Sequence, residues 1–169
     1  MLIRELTSAD RAAAQFTFRR LGERSRLQRY LFPKRLLREQ DLDYLTRLDH
    51  WHDEALIAFS PLPRAPVGIA RYARQADFDT AEIAIEVVDH WQRQGVGGTL
   101  ALALRECAMR AGVRCFIATI SPENVGAMTL ASRLGRVSAG VAVSGSQNVI
   151  VELSLTPSPL PRPGRLARL

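Results

Sequence analysis

Hydrophobic and polar residues along this chain fall into short stretches with period two and longer stretches with helical spacing. Leu2–Leu6, Ala55–Phe59, Pro66–Tyr72, Ala81–Val88, Val113–Ile120, 136–143 and 147–155 read as strands. Pro61-Leu62-Pro63-Arg64 and Asp77-Phe78-Asp79-Thr80 supply turns between three of them. Thr7-Ser8-Ala9-Asp10 sets a hydroxyl three residues before an acid, the pattern of a capping box, and predicts a helix start near Ser8. Residues 8 to 47 are expected to be mainly helical, with a break at Phe32-Pro33. Leu36, Leu37, Leu42, Leu45 and Leu48 supply its apolar positions. Arg20, Arg24, Arg26 and Arg29 mark a solvated or ligand-facing side, the solvated reading being the simpler. Leu100, Leu104, Cys107 and Ala111 predict a helix that opens near Gly98 and stops at Gly112. Ser121-Pro122-Glu123-Asn124 offers a serine cap, a proline at the first helical position and an acid at the positive dipole end. The helix it starts should run to Leu134.

This order of elements is α+β, and 169 residues make one domain of ordinary size, spanning residues 1–155. Residues 156–169, with Pro157, Pro159, Pro161 and Pro163, read as a Pro/Arg-rich tail. An apolar fraction of 47% and a charged fraction of 24% suit a soluble globular protein. No apolar run reaches the roughly 18–20 residues of a membrane span, and Met1-Leu2-Ile3-Arg4-Glu5 is not a signal peptide. A cytoplasmic location is the resulting expectation. Cys107 and Cys115 read as small hydrophobes, and His50, His52 and His90 form no metal-ligand pattern. The net charge of +6 comes almost wholly from arginine, Lys34 being the only lysine. Those arginines are scattered and lack an aromatic stacking platform for bases, so no specific nucleic-acid partner is expected.

The stretch that carries chemistry is Gln92-Arg93-Gln94-Gly95-Val96-Gly97-Gly98, between a strand-like and a helix-like run. A glycine-rich turn there frees consecutive backbone N–H groups at a positive helix end, an arrangement suited to a phosphate or pyrophosphate. In the strand before it, Glu82, Ala84, Glu86 and Val88 share one face, and Ile83, Ile85 and Val87 the other. Periodicity alone favours a polar outer face for the two glutamates. Beside a cofactor turn, the same pair suits a general base and a substrate anchor.

The spacing Gln-x-x-Gly-x-Gly in this context resembles the acetyl-CoA signature of the GNAT superfamily of N-acetyltransferases. The likeness covers roughly residues 1–155 and is strongest from Glu82 to Gly135. It implies a mixed, mostly antiparallel sheet flanked by helices, with a splayed strand pair, 81–88 and 113–120, forming the acetyl-CoA cleft. It further implies that Val87 and Val88 offer backbone groups to the pantetheine arm. Gln92, Arg93, Gln94, Gly95, Val96, Gly97 and Gly98 would wrap the pyrophosphate, and Asn124 would contact the cofactor arm. Ala81-Glu82-Ile83-Ala84, Asp89, Gln92, Glu123-Asn124, Met128 and Arg133-Leu134-Gly135 are similar to bacterial protein-lysine acetyltransferases. By that likeness Glu82 is the general base, with Glu86 as an acceptor-binding or backup carboxylate.

Two positions depart from the family pattern. The tyrosine that many members carry seven residues after the asparagine, as general acid, is here Ala131; the usual Gly-Phe is Gly135-Arg136. Ser132 stands next to the missing tyrosine, though a helical serine is more often merely exposed. A thiol with pKa about 8.5 leaves without full protonation, so the loss is tolerable. The partners expected are acetyl-CoA and an amine acceptor, either a protein lysine or a small amine. For a small cationic amine, Asp41, Asp43, Glu82 and Glu86 would supply the acidic cleft. A non-catalytic acyl-CoA sensor is the other alternative, and a homodimer is left open.

Overall fold

The structure, a computed structural model, describes residues 1–143 and 146–153. The expected tail from 156, and the last two residues of the expected strand 147–155, lie outside the described residues. Seven strands form one sheet: β1 (Leu2–Glu5), β2 (Asp53–Phe59), β3 (Pro66–Arg74), β4 (Thr80–Val87), β5 (Cys115–Ile120), β6 (Gly135–Val143) and β7 (Ser146–Leu153). Their order is β1-β2-β3-β4-β5-β7-β6. Every neighbouring pair is antiparallel except β4 and β5. That parallel ladder has three rungs, Thr80–Glu82 against Cys115–Ile117, and beyond it the strands diverge. The expected mixed, mostly antiparallel sheet with one splayed pair is the one found.

Side-chain alternation divides the sheet into two cores. Helix α1 (Arg11–Arg19) and helix α3 (Glu39–Thr46) cover one face, where Leu6, Phe18, Leu42, Leu45, Ile57 and Ile69 are buried together. Helix α4 (Val96–Arg110) and helix α5 (Val125–Leu134) cover the other, over Leu56, Tyr72, Leu100, Leu104, Phe116 and Val151. Helix α2 (Glu23–Tyr30) lies on the first face, against β4, and none of its residues is buried. Cys107 and Cys115 are free and half-buried. Among the described residues no helix is long and apolar enough to cross a membrane.

The N-terminal capping box forms as expected. Thr7 and Asp10 hold each other, and the Asp10 carboxylate also accepts two bonds from Arg4, at 2.7 and 2.8 Å. Hydrogen bonding from Arg4 is the main reason the Asp10 pKa falls to about 2, against the opposing effect of burial.

Two helix boundaries differ from the expectation. The helical region 8–47 is three short helices, and its first break falls at Arg20–Gly22, where no interruption was expected. Gly22 caps α2 in an extended conformation, and a Cβ there would come within 2.5 Å of Asp89 Oδ2. The break thus coincides with a contact 67 residues away in the chain, which local spacing does not carry. The second break is as expected, with Leu31 in the left-handed region (φ 61°) just before Phe32-Pro33. Helix α5 starts at Val125 rather than at Pro122, because Ser121 O accepts from Asn124 N in a turn and Asn124 takes the capping role expected of Ser121.

Candidate active site

The end of β4 and the turn after it build the site. Val88 N–H donates to Val67 O at 2.9 Å, and the register pairs Gly68 with Val87 and Ile69 with Glu86. In an antiparallel ladder this makes Glu86 and Val88 the residues bonded to β3. Ile85 and Val87 then direct their backbone groups to the other side, toward β5. Past the last rung at Glu82 and Ile117, that side is the opening between the diverging strands. The two expected pantetheine residues thus separate. Val87 faces the opening, whereas Val88 has its N–H on Val67 and its carbonyl on Trp91 N at 2.8 Å.

Asp89–Trp91 make a single 3-10 turn, after which Arg93 (φ 59°) and Gly95 (φ 87°) take left-handed conformations. Gly95 caps α4, and a Cβ there would meet nothing within 4 Å. Glycine is needed at this position for its backbone angle, not for lack of space. The first-turn amides of Val96, Gly97 and Gly98 have no carbonyl four residues back inside the helix. Gly97 lies between Leu130 and Val87, whose methyls stand 3.4 and 3.5 Å from where its Cβ would be. The glutamines brace the turn from within. Gln92 Nε2 donates to Val87 O (3.0 Å) and Ser25 Oγ (3.1 Å), and Gln94 Nε2 to His90 O (2.6 Å).

Asn124 Oδ1 accepts from Ala127 N at 3.0 Å, leaving its amide NH₂ as a donor at the start of α5. One residue missed by the expected site is Arg133. Its Nη1 lies 3.6 Å from the Cβ position of Gly98, so α5 delivers an exposed cation to the turn. Spacing could not reveal this, because the two residues lie on different helices; the helix packing brings them together.

Glu82 and Glu86 do share a face of β4, but their surroundings differ. Glu82 is exposed at the point where β4 and β5 part. Glu86 is only 6% exposed, accepts from the Tyr30 hydroxyl at 3.2 Å and has Arg29 Nε at 3.6 Å. Burial pushes the Glu86 pKa up, and the Arg29 charge and the Tyr30 hydrogen bond pull against it. Burial and the Glu86 charge in turn raise the pKa of Tyr30. At the position of the absent tyrosine, Ala131 is buried in the core. Ser132 is exposed and bonds its own helix at Thr129 O, 2.9 Å. A surface concavity of about 400 Å³, lined by Thr7, Ser8 and residues 46–50, includes none of these site residues.

The sequence pattern described as "Acetyltransferase (GNAT) domain" matches residues 1–137. The chain belongs to the GNAT acetyltransferase family. Membership bears out the expectation of an N-acetyltransferase with acetyl-CoA as co-substrate. The fold is similar to the GNAT domain of S. lividans PAT, with a TM-score of 0.80, 22% identity and 89% of each chain covered. It is similar also to a putative acetyltransferase from Salmonella typhimurium solved with acetyl-CoA, with a TM-score of 0.71 and 20% identity over 94% of this chain and 96% of that one. A ribosomal-protein-alanine N-acetyltransferase from Brucella melitensis gives a TM-score of 0.69 and 21% identity over 89% and 97%. At these identities the structural likenesses speak for the fold.

Proposed function

We propose that this GNAT domain transfers the acetyl group of acetyl-CoA to a lysine ε-amine on a protein surface, with Glu82 as general base. The observation that carries the acceptor reading is the character of α2 and the segment after it. Leu27, Leu31, Phe32 and Leu36 are all about half exposed there, among the exposed Arg24, Arg35 and Arg38. Such an apolar and cationic ridge suits a macromolecular surface and repels a small polycation. Of the four acids that a small cationic amine would use, three already face cations: Glu86 has Arg29 beside it, and Asp41 and Asp43 are paired. Asp41 holds Lys34 at 2.8 Å, and Asp43 binds Arg11 and Arg47.

The turn fits the phosphates of the co-substrate. It combines the free amides of Val96, Gly97 and Gly98, the open space at Gly95 and the nearby cation of Arg133. Val87, facing the opening, and Asn124, with its free amide donor, would hold the arm. Bound there, acetyl-CoA supplies an acyl group on a thiolate leaving group. Glu82, exposed at the mouth of the opening, takes the proton from the incoming ammonium or amine, directly or through water. Glu86, enclosed by Tyr30 and Arg29, has no route to that proton. Ala131 itself offers no general acid, and a thiolate departs without one.

The test is thiol release from acetyl-CoA by wild type and Glu82→Gln, against lysine-bearing proteins, peptides, polyamines and amino acids. A fall of about 100-fold or more in kcat/KM with unchanged acetyl-CoA affinity is expected for the variant, on protein acceptors. Turnover confined to small amines would replace the acceptor reading. Binding of acetyl-CoA with no turnover on any amine would favour the sensor.

A further inference from the structure

Helix α2 is held in an unusual way for a helix on a sheet. None of its eight residues is fully buried, and of its two apolar side chains Tyr30 packs on the core while Leu27 is half exposed, so it has little apolar area of its own to fasten it. Polar contacts to the cofactor side hold both of its ends. At the C-terminal end, Tyr30 and Arg29 close on Glu86 of β4. At the N-terminal end, Gly22 N–H donates to Asp89 Oδ2 at 3.0 Å, and Ser25 Oγ receives Gln92 Nε2 at 3.1 Å. Its contacts with α1 are few: Arg26 over the ring of the buried Phe18, Arg26 on Arg19 O, and Tyr30 edge-on to Phe18 at the rim of the first core. A Cβ at Gly22 would stand 2.5 Å from Asp89 Oδ2, so a side chain there would displace the carboxylate that the Gly22 N–H donates to.

We propose that Asp89 and Glu86 are positioning residues that latch α2, the wall on the acceptor side, to the segment that takes acetyl-CoA. The inference rests on the reading of turn 92–98 as the co-substrate site. Asp89 belongs to the entry of that turn and Gln92 to the turn itself, so ordering of the turn orders the α2 N-terminus. By linkage, the factor by which acetyl-CoA stabilises the latched α2 equals the factor by which latching tightens acetyl-CoA. Asp89 and Glu86 thus act on the acceptor through α2, without touching a reacting atom.

Hydrogen exchange of the α2 amides in the full chain, with and without acetyl-CoA, tests this alongside calorimetric acetyl-CoA affinity. In wild type, saturating acetyl-CoA is expected to slow α2 exchange by about fivefold or more. Asp89→Ala and Gly22→Ala should abolish most of that slowing and raise the acetyl-CoA Kd by the same factor. Asp89→Asn, which keeps an acceptor for Gly22 N–H, should restore both. Glu86→Ala should speed α2 exchange without ligand, and Glu86→Gln, which still accepts from Tyr30, should not. A residue that only supported the fold would change basal exchange and leave the acetyl-CoA-dependent step intact. Acetyl-CoA binding with no change at α2, or an undiminished step in Gly22→Ala and Asp89→Ala, overturns the latch alone. Failure of wild type to bind acetyl-CoA overturns the reading of the turn and the latch with it.

Discussion

Glu82 and Glu86 stand four residues apart on one face of β4, about 13 Å along the strand, and α2 covers only the second. The side-chain alternation of strand 81–88 is enough to place both carboxylates on that face. It does not say which one is enclosed, since the cover comes from Tyr30 and Arg29, more than fifty residues earlier. The enclosure has a consequence for stability. Glu86 has a raised pKa in the folded chain, mainly through burial, so the unfolded chain gives up this proton first as pH rises. Folding stability contributed by the group is therefore present below the ordinary glutamate value of about 4.3 and lost as pH climbs from there through the folded pKa. Glu86→Gln removes that loss. Denaturant titrations at pH 4.5 and pH 8 should show the variant gaining stability relative to wild type as pH rises. A difference independent of pH would mean that Glu86 ionises in the fold as it does in water.

At the level of elements, the strands were the most legible, because period two and turn residues are local signals. The long helical region was the least, for two reasons visible in single residues. Gly22 starts the second helix where its N–H meets Asp89, far along the chain, and the half-exposed Leu31 and Leu36 carry a surface rather than a core. The arginines divided likewise: Arg24 is solvated, as expected, but Arg20 lies over Phe16, Arg26 over Phe18 and Arg29 over Tyr30. The junction of α5 with β6 shows another non-local constraint. Gly135 has extended backbone angles that any residue accepts, yet a Cβ there would stand 1.8 Å from Glu152 O on the paired strand β7. Since the obstacle is backbone, neither side can yield by changing a rotamer. Gly135→Ala is expected to cost about 3 kcal/mol, at the upper end of overpacking penalties, by forcing β6 and β7 apart. Urea unfolding of the variant measures this, and a loss under about 0.5 kcal/mol would show that the strand pair adapts freely.

Across the whole molecule, the sheet consists of two antiparallel halves, β1–β4 and β5–β7, joined by only three parallel rungs. The packing of α4 on α5, with Gly97 against Leu130, is the second tie between them. In the site proposed above, acetyl-CoA would contact both halves: the turn and Val87 on one side, and Asn124 and Arg133 from α5 on the other. Its binding free energy should therefore appear as stability of the whole domain. At 100 times Kd, a ligand selective for the folded state adds about 2.7 kcal/mol, or about 5–10 °C in Tm for a domain of this size. Arg133→Ala removes the cation that α5 brings beside Gly98, a loss of about 1.4 kcal/mol if it makes one charge-assisted phosphate contact. That is about a tenfold rise in Kd. At the same acetyl-CoA concentration, the thermal shift of the variant should fall to about half the wild-type value, with the ligand-free Tm nearly unchanged because the side chain is exposed. An equal shift in both proteins would remove Arg133 from the phosphate site, and with it the argument that α5 completes the turn.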